Sequence, residues 1–315
     1  MFQAVIDTVV PIFGLILLGW FCHRRGLLAA TATDALNRFV IYLALPALLF
    51  AAMARAEIEA LSEIGFVISY GAGTLLTMAL YLWFSRKQGI ANLARTINSM
   101  SSGYANSGYM GIPLILMVLG PEALAPAVIA AVLTGAFQFG LTIIAIEWQR
   151  ADGKSILPAL GKVGISLLKN PILIAPVLGL ASAGSGTLPP QALMGLVDTL
   201  AAAATPCALL TIGLFLAQSQ TQSNHPAVKQ IVLLKLFAHP IAVGILALFV
   251  FQLDPLWAWA AILSAATPVG TGPFMLASLF REDAAISARA IFLSTLGSVI
   301  TLSLLVAWLN LQSIV

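Results

Sequence analysis

Charge is what this sequence is short of. Its 315 residues hold 15 Lys and Arg and 12 Asp and Glu, so 9% are charged, against 60% apolar. Soluble domains carry about 25% charged residues. A chain this poor in charge cannot clothe a globular surface, which excludes a soluble globular enzyme. The net charge of +3 is also too thin for a nucleic-acid groove. The two cysteines, Cys22 and Cys207, lie far apart in apolar runs, which excludes a disulfide framework and a CxxC metal site. His23, His225 and His239 show no metal-ligand spacing, and neither HExxH nor GxSxG occurs. Gly153-Lys154-Ser155 resembles the end of a phosphate-binding loop, but Trp148 stands where that loop needs glycine. Neither an enzyme nor a metal nor a cofactor is expected.

What the chain does have is long apolar runs. A membrane crossing takes roughly 20 apolar residues as helix. The runs between breakers predict an all-α polytopic membrane protein with ten spans, at 4–22, 35–53, 62–84, 92–119, 122–148, 170–185, 190–217, 227–251, 255–280 and 284–311. Residues 155–169 read as an interfacial lead-in to the sixth. The runs are too long, and alternate too little, for an outer-membrane barrel. The first run does not read as a cleaved signal peptide, because Arg24-Arg25 follows it and no positive charge precedes it. With these spans every Lys and Arg except Arg55 falls on one side, so the positive-inside rule puts both termini outside the cytoplasm. The tryptophans mostly mark span ends, as an interfacial belt does.

The halves echo one another. Pro11-Ile12-Phe13-Gly14-Leu15 resembles Pro176-Val177-Leu178-Gly179-Leu180, Pro46-Ala47-Leu48-Leu49 resembles Pro206-Cys207-Ala208-Leu209-Leu210, and Pro113 matches Pro273, all at offsets of about 160 residues. Five spans per copy is odd, so the second copy enters the bilayer inverted. The predicted repeats are 1–150 and 151–315. Such repeats are a transporter architecture with its site at the midplane.

Spans 4 and 9 are the abnormal ones. Span 4 carries Ser102, Asn106, Ser107, Gly108 and Pro113; span 9 carries Thr267, Pro268, Thr271, Gly272 and Pro273. Proline removes a backbone donor and glycine removes the steric guard against unwinding. Both spans are therefore expected to break at corresponding positions, leaving half-helices that start near Pro113 and Pro273. Their N-terminal N–H groups and dipoles favour an anion, with neutral hydrogen bonds from Asn106, Ser102, Ser107, Thr267 and Thr271. Gly and Ser also allow close helix packing, but packing alone does not require prolines at symmetric positions.

Three other polar residues lie deep in spans. Lys235 either serves the site or snorkels to the cytoplasmic face. His239 either shuttles a proton or is a hydrogen-bonded structural histidine. Gln138 either faces a cavity or bridges helices. No deep carboxylate pair marks a proton or sodium exchanger; potential-driven uniport needs none, and His239 keeps proton coupling open.

Asn37 to Phe50, read as Asn-Arg-Phe-Val-Ile-Tyr-Leu-Ala-Leu-Pro-Ala-Leu-Leu-Phe, resembles the second-span signature of the auxin efflux carrier family. Asn106 through Pro113-Leu114 resembles its broken fourth span, and Lys235 ahead of Pro240 resembles its eighth. The resemblance covers essentially the whole chain. It implies two inverted five-helix repeats, a scaffold and a moving domain, a crossover of spans 4 and 9 near Asn106, Pro113, Pro268 and Pro273, and a plausible homodimer. The short segment at 149–157 departs from the long hydrophilic loop of plant plasma-membrane members. That implies a bacterial-type inner-membrane carrier of malonate or another small organic anion, with membrane lipid as its surroundings and no nucleic-acid partner. The rival expectation is a membrane-embedded sensor that binds an anion without moving it.

Overall fold

The computed structural model describes residues 2–55, 63–150, 161, 164, 170–218 and 225–311. The lead-in expected at 155–169 lies outside the described residues, apart from Gly161 and Gly164. Among the described residues the structure is all-helical except for one isolated β-bridge. In chain order the helices are α1 Phe2–Arg24, α2 Thr31–Ala54 and α3 Ile64–Lys87, α4 Asn92–Gly103, α5 Ser107–Leu119 and α6 Pro121–Arg150. They continue as α7 Pro171–Gly184, α8 Gln191–Gln218 and α9 Pro226–Val250, α10 Pro255–Ala266, α11 Gly272–Leu279 and α12 Ala285–Leu311. Six of them (α2, α3, α6, α8, α9 and α12) are long and apolar enough to cross a membrane; the rest include shorter apolar helices.

Three helix starts share one local device. Asn170-Pro171, His225-Pro226 and Asp254-Pro255 each put a capping side chain ahead of a proline at the first helical position. The caps accept from the N–H of Ile172 (3.0 Å), Ala227 (3.2 Å) and Leu256 (2.9 Å). Proline costs nothing there, since its missing N–H would have had no intrahelical acceptor.

Three interior prolines use a second device. Pro46, Pro113 and Pro240 each stand two residues beyond a π-helical turn, at Val40–Ala44, Ser107–Gly111 and Leu234–Ala238. The wider turn shifts the hydrogen-bond register just where proline can neither donate nor fit against the preceding carbonyl. Helix therefore continues through these prolines.

The cross-section has polar groups inside and apolar groups outside. Ser69, Thr74, Thr77, Ser101, Ser102, Ser264 and Ser298 are buried, while Leu17, Phe249, Ile300 and Leu304 are exposed. Trp20, Trp83, Trp148 and Trp308 are also exposed, as span-end residues should be. Trp257 and Trp259 are instead buried, edge-on to Phe66 and tilted against Trp308.

Two helix pairs are packed most extensively, α1 against α8 and α7 against α2. Glycine allows both. A Cβ at Gly213 would strike the Ile16 carbonyl, one at Gly19 the Leu210 carbonyl, and one at Gly179 would lie 2.6 Å from the Phe50 carbonyl. Backbones in such contact gain dispersion along their whole length. Just past the C-terminal end of α2, Arg55 forms a bidentate pair with Asp198 of α8, at 2.8 Å on both arms. At the other end of that helix pair, Gln218 donates to Thr33.

Gly213→Val is expected to destabilise the protein by about 3 kcal/mol or more, the overpacking range, because backbone rather than a flexible side chain must move. Gly14→Val, where a Cβ meets nothing within 4 Å, should leave detergent thermal stability unchanged. Equal melting shifts for the two variants would refute this account of the α1–α8 contact.

Candidate functional site

Helical hydrogen bonding stops at Gly103 and resumes at Ser107; it stops again at Ala266 and resumes at Gly272. Tyr104 is extended (φ −83°, ψ 96°), as is Thr267 (φ −62°, ψ 156°). The residue before a proline is pushed out of the helical region, and Thr267 precedes Pro268. The two segments run antiparallel and pair through Ala105 and Val269. Asn106 N–H donates to the Pro268 carbonyl and Gly270 N–H to the Tyr104 carbonyl, both at 2.9 Å. Val269 N–H finds the Ser294 hydroxyl at 3.0 Å.

Close approach explains the glycines. The Tyr104 ring lies on the second segment, so a Cβ at Gly272 would collide with it, and one at Gly270 would sit 3.0 Å from both the ring and the Ala105 carbonyl. Pro273 stands at the start of α11 as expected. Pro113 does not start a half-helix: helix already runs from Ser107, because the π turn Ser107–Gly111 carries the chain into the proline. The helix starting beside the first break therefore presents Ser107, Gly108 and Tyr109 in its first turn, whose N–H groups have no acceptor within the helix.

A cavity of about 470 Å³ opens beside the paired segments. Tyr104, Asn106, Ser107 and Gly108 line it from the first break, and Gly270, Thr271 and Gly272 from the second. Ile41, Leu45 and Leu49 of α2, Thr134 and Phe139 of α6 and the Asn170-Pro171-Ile172 start of α7 complete the wall. Among the described residues none of the lining side chains is charged. Asn106 is 9% exposed, and among the described residues its side-chain amide has no hydrogen-bond partner. Three helix N-termini thus face one cavity, where the sequence led us to expect two; the Asn170-Pro171 cap was the available sign of the third.

The remaining candidate residues stand behind this wall. Ser102 donates to the carbonyls of Ser99 (2.7 Å) and Thr77 (3.3 Å), tying α4 to α3. Gln138 bridges helices, donating to the Met100 carbonyl at 3.3 Å. His239 Nε2 meets Thr74 Oγ1 at 3.0 Å. Lys235 does not snorkel: it is wholly buried, and its Nζ donates to the carbonyls of Ala265 and Thr267, 2.6 Å each. These are carbonyls at the broken end of α10. Thr267 Oγ1 returns to the Ser264 carbonyl at 2.8 Å. Pro113, Thr267, Pro268 and Pro273 shape the backbone without lining the cavity.

Sequence reasoning missed a buried hydroxyl cluster. Tyr70 OH lies 3.0 Å from Ser107 Oγ, 3.0 Å from Thr134 Oγ1 and 3.2 Å from Ser264 Oγ. Ser107 also meets Thr134 at 3.1 Å and Ser264 at 3.0 Å. Three helices, α3, α6 and α10, thereby hold the first residue of α5 in place. The only sign in the sequence was a set of hydroxyls in the middle of apolar runs.

Known proteins resemble this chain along nearly its full length. The membrane transport protein family matches residues 4–306. A relative from Rhizobium meliloti carrying the name "Putative malonate transporter" is 31% identical over 304 residues, covering 95% of this chain and 94% of the relative. An uncharacterized transporter from Methanothermobacter thermautotrophicus is 26% identical, covering 96% of this chain and 98% of its own length. The uncharacterized transporter YfdV of Escherichia coli is also 26% identical, with 98% of both chains covered. The family and these relatives are named as transporters, not enzymes. With the family match spanning both helix breaks and the cavity between them, this chain belongs to the membrane transport proteins of the auxin efflux carrier family.

Proposed function

We propose that the protein carries a small organic anion across the inner membrane by alternating access. The observation that carries this reading is the convergence of the first turns of α5 and α11 and the Asn106 amide on one cavity. Helix N-termini and neutral donors favour negative charge, and the Rhizobium relative's name points to malonate as the first cargo to test.

In this reading ten segments cross the bilayer, with α4–α5 and α10–α11 as broken spans and both termini extracytoplasmic. Residues 1–150 and 151–315 are the inverted repeats. The exchange of partners supports it, since α1 packs on α8 of the other half while α7 packs on α2. Helices α1, α2, α7 and α8 are the scaffold, locked by glycine contacts. The bundle carrying the breaks moves against them, and the cavity lies between the two groups. Rocking one bundle around a midplane site is the general alternating-access scheme.

The test is uptake of radiolabelled malonate and a panel of short carboxylates into proteoliposomes under an imposed potential and then a pH gradient. Saturable flux is expected. Asn106→Ala should weaken apparent affinity about tenfold or more, the loss of a hydrogen bond to a charged group. Gly272→Ala should depress flux by forcing the Tyr104 ring out of its seat and into the cavity. Binding without flux would make the protein a sensor, and full activity in both variants would move the site away from the crossover.

A further inference from the structure

Lys235 lies in the π turn Leu234–Ala238, a distortion often found at functional positions. Its Nζ has two acceptors, the carbonyls of Ala265 and Thr267. A neutral amine has two N–H donors and an ammonium three. The two carbonyls satisfy the amine in full and leave the third proton of the ammonium without an acceptor among the described residues.

Among the described residues no acid offsets a charge at this position. The helices packed against the π turn are α3, α4, α10 and α12, with α9 itself. None contains Asp or Glu. Their titratable groups are Tyr70 and Tyr81 with Arg86 and Lys87 at the end of α3, Arg95 of α4, Arg289 of α12, and Lys229 and His239 of α9; α10 has none. Every one is neutral or cationic. A buried ammonium with no counter-charge is strongly disfavoured.

A short backbone path links this position to the cavity. Thr267 O accepts from Lys235, and the next residue's carbonyl, Pro268 O, accepts from Asn106 N. An anion beside Asn106 is then the missing counter-charge. We propose that Lys235 takes up a proton when the anion binds and gives it back when the anion leaves, so that proton and anion travel in the same direction. The step forms one N–H bond on Nζ with a proton from the side facing the open cavity and breaks it toward the other side. This rests on the carrier reading above. Lys235 acts as a positioning and charge-compensating residue, since it does not line the cavity.

The experiment encloses a pH-sensitive dye in proteoliposomes and follows internal acidification alongside radiolabelled malonate uptake at neutral pH, with protein-free vesicles as control. Wild-type protein should move about one proton per malonate, and an acidic exterior should drive uptake, as protonation of a lysine with a displaceable charge requires. Lys235→Arg fixes the charge; anion flux driven by potential should persist with proton movement lost. Lys235→Met removes the charge and should weaken malonate binding about tenfold or more. Wild-type flux with no accompanying proton, or an unchanged proton ratio in Lys235→Arg, overturns the coupling and leaves the carrier reading standing. Absence of flux for malonate and every carboxylate of the panel sinks the carrier reading and the coupling with it. The wild-type ratio decides the matter even where a variant fails to fold.

Discussion

Backbone that leaves helical geometry at membrane depth has to find hydrogen-bond partners within the protein, since hydrocarbon offers none. The two interruptions at 104–106 and 267–271 solve this together. Each supplies what the other lacks: Asn106 N–H meets Pro268 O, and Gly270 N–H meets Tyr104 O. What remains is taken by Ser294 and Lys235. Neither interruption would be stable alone, so the cavity beside them exists only because the two lie antiparallel and touching. The glycines follow from that contact, because the Tyr104 ring needs the space at 270 and 272.

The carrier proposed above needs one part of the architecture to hold still while another moves. Backbone-to-backbone contact through Gly213, Gly19 and Gly179 makes α1–α8 and α7–α2 stiff pairs. The opposing bundle has its own close glycine contact, Gly73 on Val243, and adds buried hydroxyl pairs such as Tyr70–Ser107 and Ser264–Ser107. Hydroxyls rotate and exchange partners at little cost, whereas interlocked backbones cannot slide. In the carrier proposed above, such exchangeable contacts are what the moving wall of the cavity would use.

Much of this was legible in the sequence. Apolar runs between breakers located the helices, and clustered proline and glycine located both interruptions, since each effect is local. Legibility failed where the deciding partner lay on another helix. Snorkelling and burial of Lys235 were equally compatible with its own helix; the carbonyls that decide it belong to residues 265 and 267. Tyr70, Thr134 and Ser264 carried no signal because their meaning is mutual. Pro113 misled for a different reason. A proline normally marks a helix start or kink, but the π turn before it removes the conflict, and the same pattern recurs at Pro46 and Pro240.

The electrostatic design also explains why the cavity lacks a charged wall. An arginine fork grips a carboxylate through two parallel bonds in a dry site, and a carrier that holds its cargo so tightly releases it too slowly. Helix N-termini, a neutral amide and hydroxyls discriminate by sign of charge with far shallower wells. Lys235 stands a layer back, its Nζ donating to the carbonyls of Ala265 and Thr267. In the carrier proposed above, a charge taken up there compensates the anion without forming an ion pair that has to be broken on release. Selection by sign and ease of release, which compete in a direct salt bridge, are thereby assigned to different groups.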